Sequence, residues 1–66
     1  MHLTVNGEAH QAPDDSDLVA LVTGLGLRPG SVVVEHNGVA LLRSELAATP
    51  LHDGDRIELV RAVAGG

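Results

Sequence analysis

The sequence predicts an α+β domain: a mixed sheet of about five strands with one main helix packed on one face. Three observations carry that reading. Short segments of alternating or β-branched apolar residues recur along the chain, as in "HLTV", "SVVVEH" and "RIELV". Two Asn-Gly pairs, Asn6-Gly7 and Asn37-Gly38, punctuate them, and Asn-Gly is the strongest short hairpin signal because a type I′ turn needs positive φ at both central residues. A single stretch has helical spacing: Leu18, Leu21, Val22 and Leu25 form one apolar stripe.

Each element follows in chain order. Residues 2–6 alternate, with Leu3 and Val5 on one side, as in a half-buried strand. After Asn6-Gly7 a weaker strand, "EAHQA", returns to about Ala12 and stops at Pro13, which cannot donate to a ladder. Ser16 or Asp17 is placed to cap the helix, and the acidic run Asp14, Asp15, Asp17 suits the positive end of its dipole. Gly24 weakens the last turn. Gly26 fits the residue just past the helix, where a positive φ is often required. "SVVVEH" is rich in β-branched residues and reads as a strand; "VALL" follows the second Asn-Gly. In "RSELAATPL", Ser44 could cap a single helical turn over residues 45–47. "HDGD" at 52–55 is a turn, and "RIELVRAV" is the last strand, with Ile57 and Leu59 on one face and Glu58 and Val60 on the other.

The order is therefore β, β, α, β, β, short helical turn, β. One striped helix must cover one face of the sheet. The first and last strands are the natural centre, with the two hairpins flanking them. This is a β-grasp, or ubiquitin-like, arrangement over residues 1–66 as one domain, with a flexible tail from about residue 64. A domain of 66 residues buries only about 60% of the surface its unfolded chain exposes, and its core supplies about 3–5 kcal/mol net. There is little room for an enclosed active site beside that core, so the expectation is a protein acted on by others and not an enzyme.

Composition excludes several functions. There are no cysteines, so no disulfide, thiolate nucleophile or thiolate metal site exists. The net charge is −5 and aromatics are absent; nucleic-acid binding rests on clustered Lys and Arg or on stacking platforms. No apolar run reaches the ~20 residues that span a bilayer, and the opening "MHLTVNGEAH" lacks the layout of a signal peptide. The expectation is a cytoplasmic protein with neither nucleic acid nor membrane as partner. His2, His10, His36 and His52 have no second ligand at metal-motif spacing, so no metal is expected. "DDSD" lacks the glycine and glutamate of a calcium loop. "GLGLRPG" follows the helix instead of opening one, unlike a dinucleotide fingerprint.

The last strand runs straight into Gly65-Gly66. Two residues without Cβ can thread a narrow channel. A C-terminal carboxylate there would be ionised at neutral pH and so a poor electrophile until activated, most simply by ATP as an acyl-adenylate. A sulfur nucleophile would then give a thiocarboxylate, and an amine would give an amide. Val60 is expected on the open face of the sheet beside this tail, where Ala62 and Val63 could extend an apolar contact.

The chain resembles the ThiS family, the sulfur carriers of thiamine (thiazole) biosynthesis, over essentially its whole length. The resemblance rests on "LTVNGE", "LVALVTGLGL", "VVVEHNG" followed by "RSELA", and "LHDGDRIELVRAVAGG". It implies that the Gly66 carboxylate is adenylated and converted to a thiocarboxylate, with Gly65 giving the slim approach. It implies no bound cofactor, since the ATP and the sulfur donor are used by an adenylating partner of the ubiquitin-activating type, and it names thiazole synthase as the sulfur acceptor. Ala64 stands where this tail often has Gly, and Ala62 where relatives have a larger apolar residue; both belong to the expected partner contact with Val60 and Val63. Three alternatives stay open: a carrier of the molybdopterin-synthase small-subunit type, a ubiquitin-like protein modifier, and a plain β-grasp binding module.

Overall fold

The computed structural model describes residues 1–61. Five strands form one sheet: β1 (His2–Val5), β2 (Glu8–Gln11), β3 (Val32–His36), β4 (Val39–Leu41) and β5 (Arg56–Arg61), in the order β2-β1-β5-β3-β4. β1 pairs antiparallel with β2 and parallel with β5, and β5 pairs antiparallel with β3. The last strand therefore lies at the centre, as the element order predicts. The helix α1 (Leu18–Gly24) supplies the crossover cover.

Both Asn-Gly turns form as the sequence demands. Asn6 and Asn37 each take φ 50, followed by Gly7 at φ 81 and Gly38 at φ 86, the backbone of a type I′ hairpin whose twist matches its strands. Of the two candidate caps for α1, Asp17 does the work: its carboxylate accepts from the Ala20 N–H at 2.8 Å. The rest of the acidic run does not sit in the first turn; Asp14 instead pairs with the Met1 ammonium at 2.8 Å. At the other end Gly26 adopts φ +81. Its N–H donates to Thr23 O and the Leu27 N–H donates to Val22 O, at 2.9 and 3.1 Å. That is a Schellman closure, which satisfies two carbonyls the helix would leave free.

Leu18, Leu21 and Val22 are buried from α1, but Leu25 is partly exposed because the helix has ended before it can turn inward. They meet Leu3, Val34 and Ile57 from the sheet, and Leu46 and Leu51 from the long connection to β5. Leu18, Leu46 and Ile57 are essentially inaccessible, each worth about 1.5–3 kcal/mol of burial. Ile57 and Leu59 face this core and Val60 does not, as the alternation predicts.

Two local readings are corrected. "VALL" pairs only as far as Leu41. The turn in "RSELAATPL" is a 3-10 turn at Arg43–Glu45, two residues earlier than expected, and Ser44 does not cap it. The Glu45 carboxylate reaches back to accept from the Leu42 N–H at 2.7 Å, and the next residue, Leu46, is buried in the core. A further 3-10 turn at Pro29–Ser31 leads into β3. Among the described residues no helix is long and apolar enough to cross a membrane.

Candidate functional site

β5 carries the chain toward residues 62–66, so what holds β5 determines where those residues start. On one side β3 pairs along its whole length, from His36 opposite Ile57 to Val32 opposite Arg61. On the other side β1 offers only two rungs, Thr4 opposite Arg56 and Val5 opposite Ile57. A turn side chain extends the ladder on each side, on the β1 side past its two rungs. Asn6 Oδ1 accepts from the Leu59 N–H at 2.7 Å, and Asn37 Oδ1 accepts from the Arg56 N–H at 2.8 Å. The first residue of each hairpin turn thus serves twice: it takes the left-handed backbone conformation, and its amide continues the ladder onto the central strand. Gly at either position would satisfy only the first demand.

The entry to β5 is fixed just as closely. The Gly54 N–H donates to His2 O at 2.7 Å, the Thr4 N–H to Asp55 O at 3.0 Å, and the His2 N–H to Asp53 Oδ1 at 2.6 Å. Asp55 is the one buried charged residue among those described, 8% exposed. Its carboxylate accepts from His36 Nε2 at 2.7 Å, Asn37 Nδ2 at 3.0 Å and the His52 N–H at 2.9 Å. Burial pushes its pKa up, but these hydrogen bonds, with a smaller Coulombic effect of His36, outweigh burial and hold it down at about 2. The carboxylate therefore ties the turn before β5 to the end of β3.

On the sheet face away from α1, Val60 is 55% exposed, as expected from the sequence. It lies directly opposite Val33, itself 47% exposed. Val33 was not legible as part of this patch, because its partner depends on the β3–β5 register. Asp55 and the amide roles of Asn6 and Asn37 were also missed; the only signal was the choice of Asn over Gly or Asp at both turns. The expected site residues Ala62, Val63, Ala64, Gly65 and Gly66 lie outside the described residues.

Among the described residues no group of three His, Cys, Asp or Glu side chains could hold a metal ion. A shallow cavity of about 280 Å³ lies between the β1–β2 hairpin and the end of α1, lined by Val5, Leu25, Leu27 and Leu59 together with Glu8 and His10. It brings together no nucleophile with a base, which is the minimum for covalent catalysis.

Comparison with known proteins agrees with this architecture. The chain is 33% identical to the thiamine biosynthesis protein (ThiS) of Geobacter metallireducens; against its crystal structure the TM-score is 0.85, covering 100% of both chains. Against the solution structure of a thiamine biosynthesis protein from the same organism it is 0.77, covering 100% of this chain and 88% of that one. The chain is also 38% identical, over all its 66 residues, to a thiazole synthase of Magnetococcus marinus and 33% identical to one of Paramagnetospirillum magneticum. It spans only 20% of the length of each of those proteins. The sequence model of the ThiS family matches residues 3–66, and with the five-stranded sheet and its central last strand this places the chain in the ThiS family, on the β-grasp fold.

Proposed function

We propose that this chain is a sulfur carrier of thiamine biosynthesis, working in the cytoplasm as a protein co-substrate and not as a catalyst. The observation that carries the proposal is the family match, which runs through Gly65 and Gly66. The position of β5 in the middle of the sheet supports it, since the strand that leads to residue 61 is built into the body of the domain.

In this reading the Gly66 carboxylate attacks the α-phosphate of ATP on an adenylating enzyme and releases pyrophosphate. Sulfide then displaces AMP, leaving a thiocarboxylate on Gly66; with a persulfide donor the displacement gives an acyl disulfide, whose S–S bond a thiol of the donor system cleaves to release the thiocarboxylate and leave a disulfide. Thiazole synthase takes the sulfur. The small Gly65 side passes the enzyme's channel, while Val60, Ala62, Val63 and Ala64 make the partner contact. No residue of the carrier supplies acid, base or metal; its task is to offer an unhindered acyl group on a stable body.

The test is the intact mass of the protein after incubation with ATP, sulfide and the adenylating enzyme of the same host. One oxygen replaced by sulfur, mapped to Gly66, is the expected result. Deleting Gly66, or adding residues after it, should abolish that change and leave the thermal midpoint as it was. Persistent sulfur transfer from a blocked Gly66 would sink the mechanism.

A further inference from the structure

The two Asn-Gly turns are a matched pair with one difference. Asn6 and Asn37 each take φ 50 and precede a glycine of positive φ. Each backbone N–H donates to β5, from Asn6 to Ile57 O at 2.9 Å and from Asn37 to Arg56 O at 2.8 Å. Each Oδ1 accepts from β5, at 2.7 Å for Asn6 and 2.8 Å for Asn37. The amide nitrogens differ. Asn37 Nδ2 donates to Asp55 Oδ1 at 3.0 Å and lies 3.4 Å from His36 Nε2. Among the described residues Asn6 Nδ2 has no such partner.

An Asn followed by Gly carries a reaction of its own. The glycine nitrogen attacks the Asn side-chain carbonyl carbon, and the new C–N bond closes a cyclic succinimide. The amide nitrogen leaves as ammonia, with the proton that the glycine nitrogen gives up. Water then opens the ring at either carbonyl and yields Asp or isoaspartate. The net change is amide plus water to carboxylate plus ammonium, with nothing oxidised or reduced. Glycine favours the attack because no side chain crowds its nitrogen. Both turns are exposed, so water reaches them. The attack requires a side chain free to swing its carbonyl carbon onto the glycine nitrogen.

At Asn37 both ends of the amide are held. The swing breaks two hydrogen bonds, one of them to an ionised carboxylate, which is among the stronger kinds. That carboxylate also has no proton to give the departing nitrogen. Nor can the product settle back into place. An oxygen would replace Nδ2, 3.0 Å from Asp55 Oδ1, and two carboxylates that close disfavour each other's charge. Isoaspartate would add a backbone atom to a turn that must pair His36 with Val39. At Asn6 the Asp product keeps an oxygen that accepts from the Leu59 N–H.

We propose that Asn37-Gly38 is a latent deamidation site, closed while Asp55 holds the Asn37 amide and opened when the turn before β5 releases it. Deamidation there makes the opening permanent, because the product cannot rebuild the junction. Asn6-Gly7 is the unguarded counterpart, which deamidates in the folded protein and leaves it folded.

The experiment holds the protein at about pH 8, where an ordinary histidine is neutral and His36 does not screen a new carboxylate. Cleavage after glutamate separates the two sites into residues 1–8 and 36–45, and the mass gain of amide-to-acid conversion is followed in each. Rates in concentrated urea give the intrinsic speed of each site. Relative to those, folding should slow Asn37 about tenfold more than Asn6, the factor one hydrogen bond to an ionised group supplies. Asp55→Ala removes the acceptor and should bring Asn37 up to Asn6. A general loosening of the fold would speed both sites alike, so Asn6 in the same chain separates local release from unfolding. Asn37→Asp should melt well below wild type, and Asn6→Asp close to it. Equal protection of the two sites in the folded wild type overturns the proposal. So does an Asn37 that speeds up in Asp55→Ala only in step with Asn6, and so do equal melting points for Asn37→Asp and Asn6→Asp. Should Asp55→Ala not fold, the wild-type rates and the two melts decide the matter alone.

Discussion

Replacing Asp55 by Asn keeps the shape of the side chain and removes its charge, and the consequence can be worked from the structure. Folding lowers the Asp55 pKa from 3.8 to about 2. That difference corresponds to roughly 2 kcal/mol of stability contributed by the ionised form. Three donors converge on the carboxylate, from His36, Asn37 and the His52 N–H. An amide can accept from one of them only by turning its own N–H groups toward another. The expected loss at neutral pH is about 2 kcal/mol, which for a domain of this size lowers the thermal midpoint by roughly 8–16 °C. The sign with pH follows from the depressed pKa. The wild-type advantage is complete above about pH 5. It declines as pH falls through 3.8 and is gone below about 2. Thermal melts by circular dichroism from pH 7 to pH 2 should therefore show the two proteins converging in acid. A midpoint difference that stays constant down to pH 2, or no difference at pH 7, would refute the role given to this carboxylate.

Two other substitutions test the frame around β5 and the core. Asn6→Gly keeps the positive φ but removes the acceptor for the Leu59 N–H, and should cost about 1 kcal/mol; Asn6→Ala loses both and should cost about 2 kcal/mol or more, so urea midpoints should rank wild type, then Gly, then Ala. Leu46→Ala empties a fully buried position at about 2–5 kcal/mol. That is comparable with the whole net stability of so small a domain, so the amide spectrum should collapse toward that of an unfolded chain, whereas Leu46→Met should remain folded.

The element order, both type I′ turns, the helix stripe and the face assignments of β5 were all legible in the sequence. Each is governed by local rules: a two-residue turn that needs positive φ, a 3.6-residue period, a period of two. The parallel neighbour of β5 was also accessible, because one helix and two hairpins leave few ways to build a five-stranded sheet. Ser44 failed as a cap for the complementary reason. Which turn residue faces solvent there is set by where Leu46 must go to fill the core, and no local pattern contains that demand.

The candidate site divides along the same line. Gly65, Gly66 and the outward-facing Val60 come from the chain's own pattern. Tertiary structure alone brought Val33 opposite Val60, because cross-strand register is a relation between segments more than twenty residues apart. It alone turned the Asn6 and Asn37 amides onto β5, and it alone made Asp55 a buried junction with His36. Sequence specifies what each segment can do with its neighbours along the chain. Which distant groups meet is decided only when the segments pack, and it is the donors that packing brings to Asp55 that turn an ordinary aspartate into a structural charge.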